Sequence, residues 1–447
     1  MTDRWKEWGR TSAAILVGLV LAFALAELLC RLLPIETAYV RIPMKSDARV
    51  GFTRVPGGTA SSKMVCYDIS PIVFNSLGFR GPNLSQGNPL SIAVLGDSFM
   101  EAVEVPVSCS TASILQGLLR VNVLNASVAS YGTTSELFVY RTFLKERRAR
   151  VVLLFFFAGN DVVNNSCELS RMYGEGPPGP CGEFSHGKIE WRTSFGEPTG
   201  DAPSSSPIKA FLRQHCLSCL VAYRFLKYDV IHRLQFGDLD FLDNVFRRHP
   251  PEQWRKAWDD GWRITEEAIL QLKADVESGV GKLVVVNVPS SLFIVPNWQE
   301  VFKKSKRLER VPDDFDPNLP DARLKNIGDR HRIPVLGLAP EFIQYRDRFR
   351  LTDPFFWFTC DAHWNPVGHF VAANVVARYL IEHDFLAMTA EDKEKLLRKV
   401  KANLGLSPEE ILGPTAYDQI YHGGVYTGAS NIDRIVPVFS ADSASLR

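Results

Sequence analysis

An α/β fold built around a central parallel sheet with helices on both faces, and preceded by one transmembrane helix, is the architecture this chain predicts. Three observations carry it. Apolar runs at Ile92–Leu95, Val121–Leu124 and Val151–Phe157 alternate with helical patterns at Thr111–Leu119 and Ser135–Glu146, and such alternation builds a parallel sheet covered on both sides. Two of these runs end in glycine turns, Gly96-Asp97-Ser98 and Gly159-Asn160-Asp161. Residues 11–30 form a nearly continuous apolar stretch with Glu27 as their one charge, enough, as a helix, to span roughly 30 Å of hydrocarbon.

Taken in order, residues 1–33 read as a short stub and an anchor. Arg4, Lys6 and Arg10 precede the apolar run and favour a cytoplasmic N-terminus, although Asp3, Glu7 and Arg31 blunt that signal. A cleavable signal peptide competes, because Ala22-Phe23-Ala24 has a small-x-small pattern. The continuation through Leu28, Leu29, Leu32 and Leu33 favours a retained anchor. Residues 34–87 form a juxtamembrane segment in which Arg80 has no evident chemistry and reads as structural. The main domain is expected over 88–385. An insertion at about 165–250 interrupts its rhythm, loop-like where Gly and Pro cluster at 174–180 and Ser at 204–206, then helical over Ile208–Leu234. The core resumes with a helix ending near Glu277, strands at Leu283–Val288 and Pro334–Leu336, and a closing helix at Val367–Glu382. Residues 386–447 form a C-terminal tail with helical character as far as Leu404.

The charge balance excludes one broad class. With 51 Lys+Arg against 50 Asp+Glu over 447 residues, the chain has no basic field with which to grip nucleic acid. No glycine-rich phosphate loop occurs, so no nucleotide or other cofactor is indicated. Eight cysteines suit an exported protein. Setting aside Cys30 in the apolar segment leaves an odd seven, so at least one is unpaired or pairs with another chain. Cys167 and Cys181, flanking a Gly/Pro-rich loop, are the expected bridge. Cys216 and Cys219 share a helix face at i,i+3 spacing and read as buried small side chains rather than a metal site.

Chemistry concentrates at three points. Ser98 follows a strand and a tight glycine turn, the place where open α/β sheets expose a nucleophile. Asn160 follows another buried strand. Asp361-Ala362-His363 precedes the closing helix. A serine hydroxyl needs a base to become nucleophilic, and that base needs a carboxylate to hold its tautomer. His363 is the candidate base and Asp361 its orienting partner; His369, inside the following helix, is the rival. Asp97 reads as a turn-former rather than a triad member.

In these blocks, and in Asn125–Thr133, the chain resembles the SGNH (GDSL-type) serine hydrolases. The short Asp-x-His spacing is similar to that of alginate-type O-acetylation proteins. The resemblance covers roughly residues 88–385. It implies a flavodoxin-like three-layer sandwich, with Ser98 as nucleophile, His363 as base, Asp361 as its partner and Asn160 as an oxyanion donor. Ser130 occupies the place where the family usually has glycine, with Gly132 two residues on, so the backbone donor of this block is Ser130 or Gly132. The implied activity is cleavage of O-acyl esters, most simply acetyl, outside the cytoplasm. Acyl transfer to a cell-surface polysaccharide and an inactive scaffold or glycan-binding subunit are the alternatives. No metal is implied, the membrane contact is residues 11–30, and the sequence names no protein partner.

Overall fold

The computed structural model describes residues 15–29, 39–84, 89–174, 179–193, 216, 218–219, 241–351 and 355–437. The chain forms two compact units, Met1–Ala38 with Thr199–Asp240, and Tyr39–Pro198 with Phe241–Arg447.

In the first unit, residues 15–29 are helical (α1), and Ile15, Leu16, Leu19 and Phe23 are exposed. No helix among the described residues is long and apolar enough to cross a membrane. The remainder of the anticipated span, residues 11–14 and 30, lies outside them. So does nearly all of the helix anticipated at Ile208–Leu234. Two local features are described. The Glu27 carboxylate accepts hydrogen bonds from the Ser218 backbone N–H and hydroxyl (2.9 and 2.8 Å). Cys216 and Cys219 form a disulfide, which corrects their reading as separate buried side chains: three residues apart, they bring their Cα atoms to 5.2 Å, within bridging range.

The second unit opens with antiparallel strands β1 (Tyr39–Arg41), β2 (Met44–Asp47), β3 (Gly51–Arg54), β4 (Thr59–Met64) and β5 (Tyr67–Val73), paired as β1-β4-β5 and β2-β3. Next come β6 (Ile92–Leu95), α2 (Ser98–Glu101), α3 (Thr111–Leu119), β7 (Val123–Asn125), α4 (Thr133–Val139) and β8 (Val151–Phe156). After α5 (Asp161–Asn165), the segment read as an insertion begins with α6 (Cys167–Tyr173) and the hairpin β9 (Cys181–Ser185)–β10 (Lys188–Arg192). The expected Cys167–Cys181 bridge is present and staples that hairpin to α6. The chain continues with α7 (Glu252–Ser278), β11 (Lys282–Asn287), α8 (Ser291–Ile294), α9 (Trp298–Lys306), α10 (Leu319–His331), β12 (Val335–Gly337), α11 (Ala339–Phe349) and α12 (Pro366–Glu382). Four helices follow: α13 (Ala390–Asn403), α14 (Pro408–Leu412), α15 (Pro414–Tyr421) and α16 (Ile432–Ile435).

Strands β6, β7, β8, β11 and β12 make one parallel sheet in the order β12-β11-β8-β6-β7. Counted among themselves this is 2-1-3-4-5, the doubly wound order whose direction reverses between the first and third strands. Every residue of β8 is buried, as the strand of a doubly covered sheet must be. Its alternation sorts the layers. Val151, Leu153 and Phe155 join the core shared with Ile114, Leu115 and Leu118 of α3 and Phe370 and Val371 of α12. On the opposite face the Phe156 ring lies 6.0 Å from that of Trp262 on α7. Each such fully buried side chain contributes about 1.5–3 kcal/mol.

The expected boundaries at 87/88 and 385/386 do not separate compact units. Residues 39–84 and 386–437 belong to the same body as the sheet. The reason is visible at Tyr426: it is fully buried, its N–H donates to the Cys66 carbonyl (2.9 Å), and its own carbonyl accepts from the Asp68 N–H (2.8 Å). The expected helix at Ser135–Glu146 is also shorter. It changes to a wider π turn over Tyr140–Leu144 and a 3₁₀ turn over Lys145–Arg147.

Candidate active site

The sheet reversal lies between β6 and β8, and the loops leaving their carboxyl ends hold two of the sequence-selected residues. Gly96 ends β6. A Cβ there would come within 2.8 Å of Met100 Cγ and 3.2 Å of Phe155 Cβ, so glycine is what lets the chain turn directly into α2. Asp97 caps that helix, its carboxylate accepting from the Phe99 N–H (2.9 Å), as a turn-former should. Ser98 is then the first residue of α2.

From the other end of the chain, the loop before α12 delivers the base. Asn365 caps α12, accepting from Val367 and Gly368 N–H (2.9 and 3.2 Å), and Pro366 begins the helix. The Asn365 amide also donates to the Phe355 carbonyl (2.9 Å). The Phe358 N–H donates to the His363 carbonyl (3.0 Å). So anchored, His363 Nε2 lies 2.8 Å from Ser98 Oγ, and its Nδ1 lies 2.5 Å from Asp361 Oδ1. With Nδ1–H donating to Asp361, Nε2 is left to accept from the Ser98 hydroxyl. Residues 265 positions apart thus meet in one chain of hydrogen bonds. The Phe99 ring sits 5.3 Å from the His363 imidazole and 4.7 Å from the Phe157 ring.

His369 is not brought to Ser98. It is buried in α12, with Nδ1 2.9 Å from the Thr111 hydroxyl, and burial pulls its imidazole down to about 3.

Asn160 lies beside Asp97. Burial raises the Asp97 carboxyl to about 6, against the opposing pull of the Phe99 N–H, the His363 charge and the Asn160 amide, and neither Asn160 Oδ1 nor Asp97 Oδ2 has a hydrogen-bond partner. The loop carrying Ser130 and Gly132 is laid alongside the Gly96 turn by two backbone bonds, Ala126 N–H to the Val94 carbonyl (2.8 Å) and Val128 N–H to the Gly96 carbonyl (3.2 Å). Ser130 has a left-handed backbone (φ 71°), the conformation that glycine adopts most freely. Gly132 has extended backbone but needs its missing side chain, since a Cβ would meet Asn165 Oδ1 at 2.8 Å and Asn164 Cβ at 2.9 Å. The Asn164 amide donates to the Ser130 carbonyl (3.3 Å), joining this loop to α5.

Sequence reasoning missed four supports of the site. The Tyr67 hydroxyl donates to Asp361 Oδ2 (2.8 Å), and Cys66 forms a disulfide with Cys360, so the turn into β5 and its first residue grip the loop of Asp361 twice. Cysteine counting alone could not pair them. Arg54 and Glu101 form a buried two-pronged ion pair (2.7 and 2.7 Å), and Glu101 Oε2 also accepts the Ala129 N–H (2.8 Å). The fourth is Glu104, whose Oε1 lies 3.5 Å from His363 Nδ1. Arg80, as expected, is structural: its buried guanidinium donates to the carbonyls of Glu101 (3.0 Å) and Val105.

Burial pulls the His363 imidazole down, but Glu104, Asp361 and Asp97 outweigh it and raise it, favouring the imidazolium that forms when Ser98 gives up its proton. Burial raises Asp361 too, yet its bond to His363 holds the carboxyl below its ordinary value. Glu104, Asp361 and His363 bring ligand-type atoms within 4.8 Å of one another. Both imidazole nitrogens are already engaged, so a metal there would have to displace Ser98 or Asp361.

Behind Ser98 lies a second group of buried carboxyls: Asp97, Glu136 and Asp161, at most 1% exposed. Burial and mutual repulsion push Glu136 and Asp161 well above the usual carboxyl range. Neither Glu136 oxygen has a partner. A carboxyl raised on folding leaves stability intact below the unfolded value of about 4.3 and erodes it as pH climbs toward the folded value. Glu136→Gln keeps the shape and removes the ionisation. Thermal unfolding is therefore expected to show a gain in Tm for Glu136→Gln at pH 8 that is absent at pH 4.

No protein-family model matches the chain, and no curated protein matches it. It is similar to several solved structures. One is LAE5, an α/β hydrolase enzyme from the metagenome of Lake Arreo, Spain (11% identity, 68% of this chain and 99% of that one, TM-score 0.34). Another is the acetyl xylan esterase AlAXEase (11% identity, 64% and 98%, TM-score 0.34). A third is a catalytic mutant of Axe2, an acetylxylan esterase from Geobacillus stearothermophilus (8% identity, 66% and 94%, TM-score 0.33). At these identities and scores the likeness says nothing of activity.

Proposed function

We propose that this chain is an SGNH-type serine esterase that cleaves O-acyl esters, most simply O-acetyl. One observation carries the reading: the continuous line from Ser98 Oγ through the His363 ring to Asp361, with spacings of 2.8 and 2.5 Å. In the proposed reaction Ser98 Oγ attacks the ester carbonyl while His363 Nε2 takes its proton. Asp361, held by Tyr67, stabilises the imidazolium. The developing oxyanion is met by the Asn160 amide and by backbone N–H groups of Ser98 and the Ser130–Gly132 turn, each such donor contributing roughly 2.7–4 kcal/mol. The imidazolium then protonates the departing alcohol, leaving acyl-Ser98. Water, deprotonated by His363, releases the acid. We further propose that residues 11–30 anchor the protein and that the catalytic unit faces an oxidising, extracytoplasmic space. Three disulfides among the described residues support that placement.

The test is labelling of the full chain with a serine-reactive fluorophosphonate, followed by mass-spectrometric location of the adduct. The expected result is one adduct on Ser98, lost in Ser98→Ala. An unlabelled wild-type protein that also fails to hydrolyse aryl acetates would refute the enzymatic reading and leave the scaffold alternative. Acetyl donor supplied with candidate glycans separates hydrolysis, which gives free acetate, from transfer, which gives an acetylated glycan.

A further inference from the structure

We propose that Glu104 is a second carboxylate partner of the His363 imidazole, a positioning residue that shares with Asp361 the task of holding Nδ1–H and stabilising the imidazolium. This rests on the reading of Ser98, His363 and Asp361 as an acyl-transfer triad. It adds to that triad a residue that no spacing in the Gly-Asp-Ser turn announces.

Glu104 is 3% exposed, lies three residues beyond α2, and sits on the same imidazole nitrogen as Asp361, its Oε1 3.5 Å from Nδ1. Its other oxygen, Oε2, is buried with no hydrogen-bond partner. A carboxyl left so poorly satisfied in the interior is destabilising unless a nearby charge compensates it. His363 is the nearer such charge when protonated, and the Arg80 guanidinium adds to it from the preceding loop. At 3.5 Å the contact is an ion pair rather than an aligned hydrogen bond, so Asp361 fixes the ring's tautomer while Glu104 acts through the field. The position is itself held: Arg80 clamps the Glu101 and Val105 carbonyls on either side of Glu104.

Proton accounting is simple. Ser98 Oγ gives its proton to His363 Nε2, the ring becomes a cation, and Nδ1–H stays between the two carboxylates, with no further transfer. Burial raises Glu104 to about 7, with the His363 charge opposing and Asp361 adding to the rise. The other charged or titratable groups facing the pair are Asp97 beside Ser98, Tyr67 on β5, Arg80 from the preceding loop and His369 on α12. Removing Glu104 withdraws a negative charge from the imidazole, so the ring gives up its proton more readily. The acid limb of the rate profile then moves to lower pH, which a merely structural defect would not cause.

The experiment compares wild type, Glu104→Gln, Asp361→Asn and the double variant. It follows kcat and KM for an aryl acetate, and the rate of fluorophosphonate attack on Ser98, as functions of pH. Glu104→Gln is expected to move the acid limb down by about one pH unit and to leave KM unchanged. The loss caused by Asp361→Asn is expected to be larger in the Glu104→Gln background than in wild type. Glu104→Asp, which keeps the charge but withdraws it by one methylene, is expected to shift the limb by less. An unmoved acid limb, or losses that simply multiply, would overturn the proposal while Ser98 remained reactive in wild type, leaving the esterase reading intact. Histidine-selective NMR titration of the full chain supplies the same comparison without turnover: an unchanged His363 midpoint in Glu104→Gln overturns it equally.

Discussion

Replacing His363 by alanine is expected to lower kcat on a soluble aryl acetate by roughly 10²–10⁴-fold, with KM little changed. On the proposed mechanism the loss falls on kcat, because the imidazole acts on the proton of Ser98, which moves only as the transition state forms. Its Nε2 is the atom within 2.8 Å of Ser98 Oγ, and His369 cannot substitute, being engaged with Thr111. Combining Ser98→Ala with His363→Ala is expected to add almost nothing to the larger single loss, since the two groups act as one unit. Steady-state kinetics on the three variants, with circular dichroism to verify folding, checks this. Multiplying losses would mean that the serine and the imidazole act separately.

The second large effect lies outside the reacting atoms. Arg54→Met is expected to destabilise the protein by about 3–5 kcal/mol, because removing one partner strands the other charge in the interior. Arg54 is 5% and Glu101 0% exposed, and both prongs of the pair measure 2.7 Å. Glu101 also holds the Ala129 N–H, so the loop that presents Ser130 and Gly132 loses an anchor at the same time. Denaturant unfolding reads the first consequence, and slower fluorophosphonate labelling of Ser98 reads the second. Adding Glu101→Leu to Arg54→Met is expected to restore most of the stability without restoring the labelling rate. That outcome separates the electrostatic penalty from the positioning of the loop.

How far the sequence carried the reading depended on whether a feature is local. The apolar runs at β6 and β8 and the Asn365-Pro366 start of α12 are signals held within a few residues, and the sheet and its closing helix were legible from them. Ser98, Asp361 and His363 were legible as candidates because proton relay from a serine demands those side-chain types, and the fold brings the three into one line of hydrogen bonds. Ser130 stood out as the wrong residue for its place, and its positive φ shows why glycine would suit that position. Glu104 was not legible: within Val103-Glu104-Val105 it reads as a solvated charge, and only the fold turns it toward His363. Tyr67 and Cys66 were hidden for the same reason. Their partners lie 294 residues away, and no periodicity encodes such a meeting. The helices beyond Leu404 are short, and the apolar residues that dock them in the core, among them Ile411, Leu412, Ile420 and Ile432, are too few per helix to show as a stripe.

The staple between Cys66 and Cys360 carries a consequence for biogenesis. Translation delivers its second sulfur 294 residues after its first, so the bond cannot close on a nascent fragment that stops short of Cys360. A chain stalled before that point emerges without a finished relay, and the proposed esterase activity would begin only once the two cysteines have met.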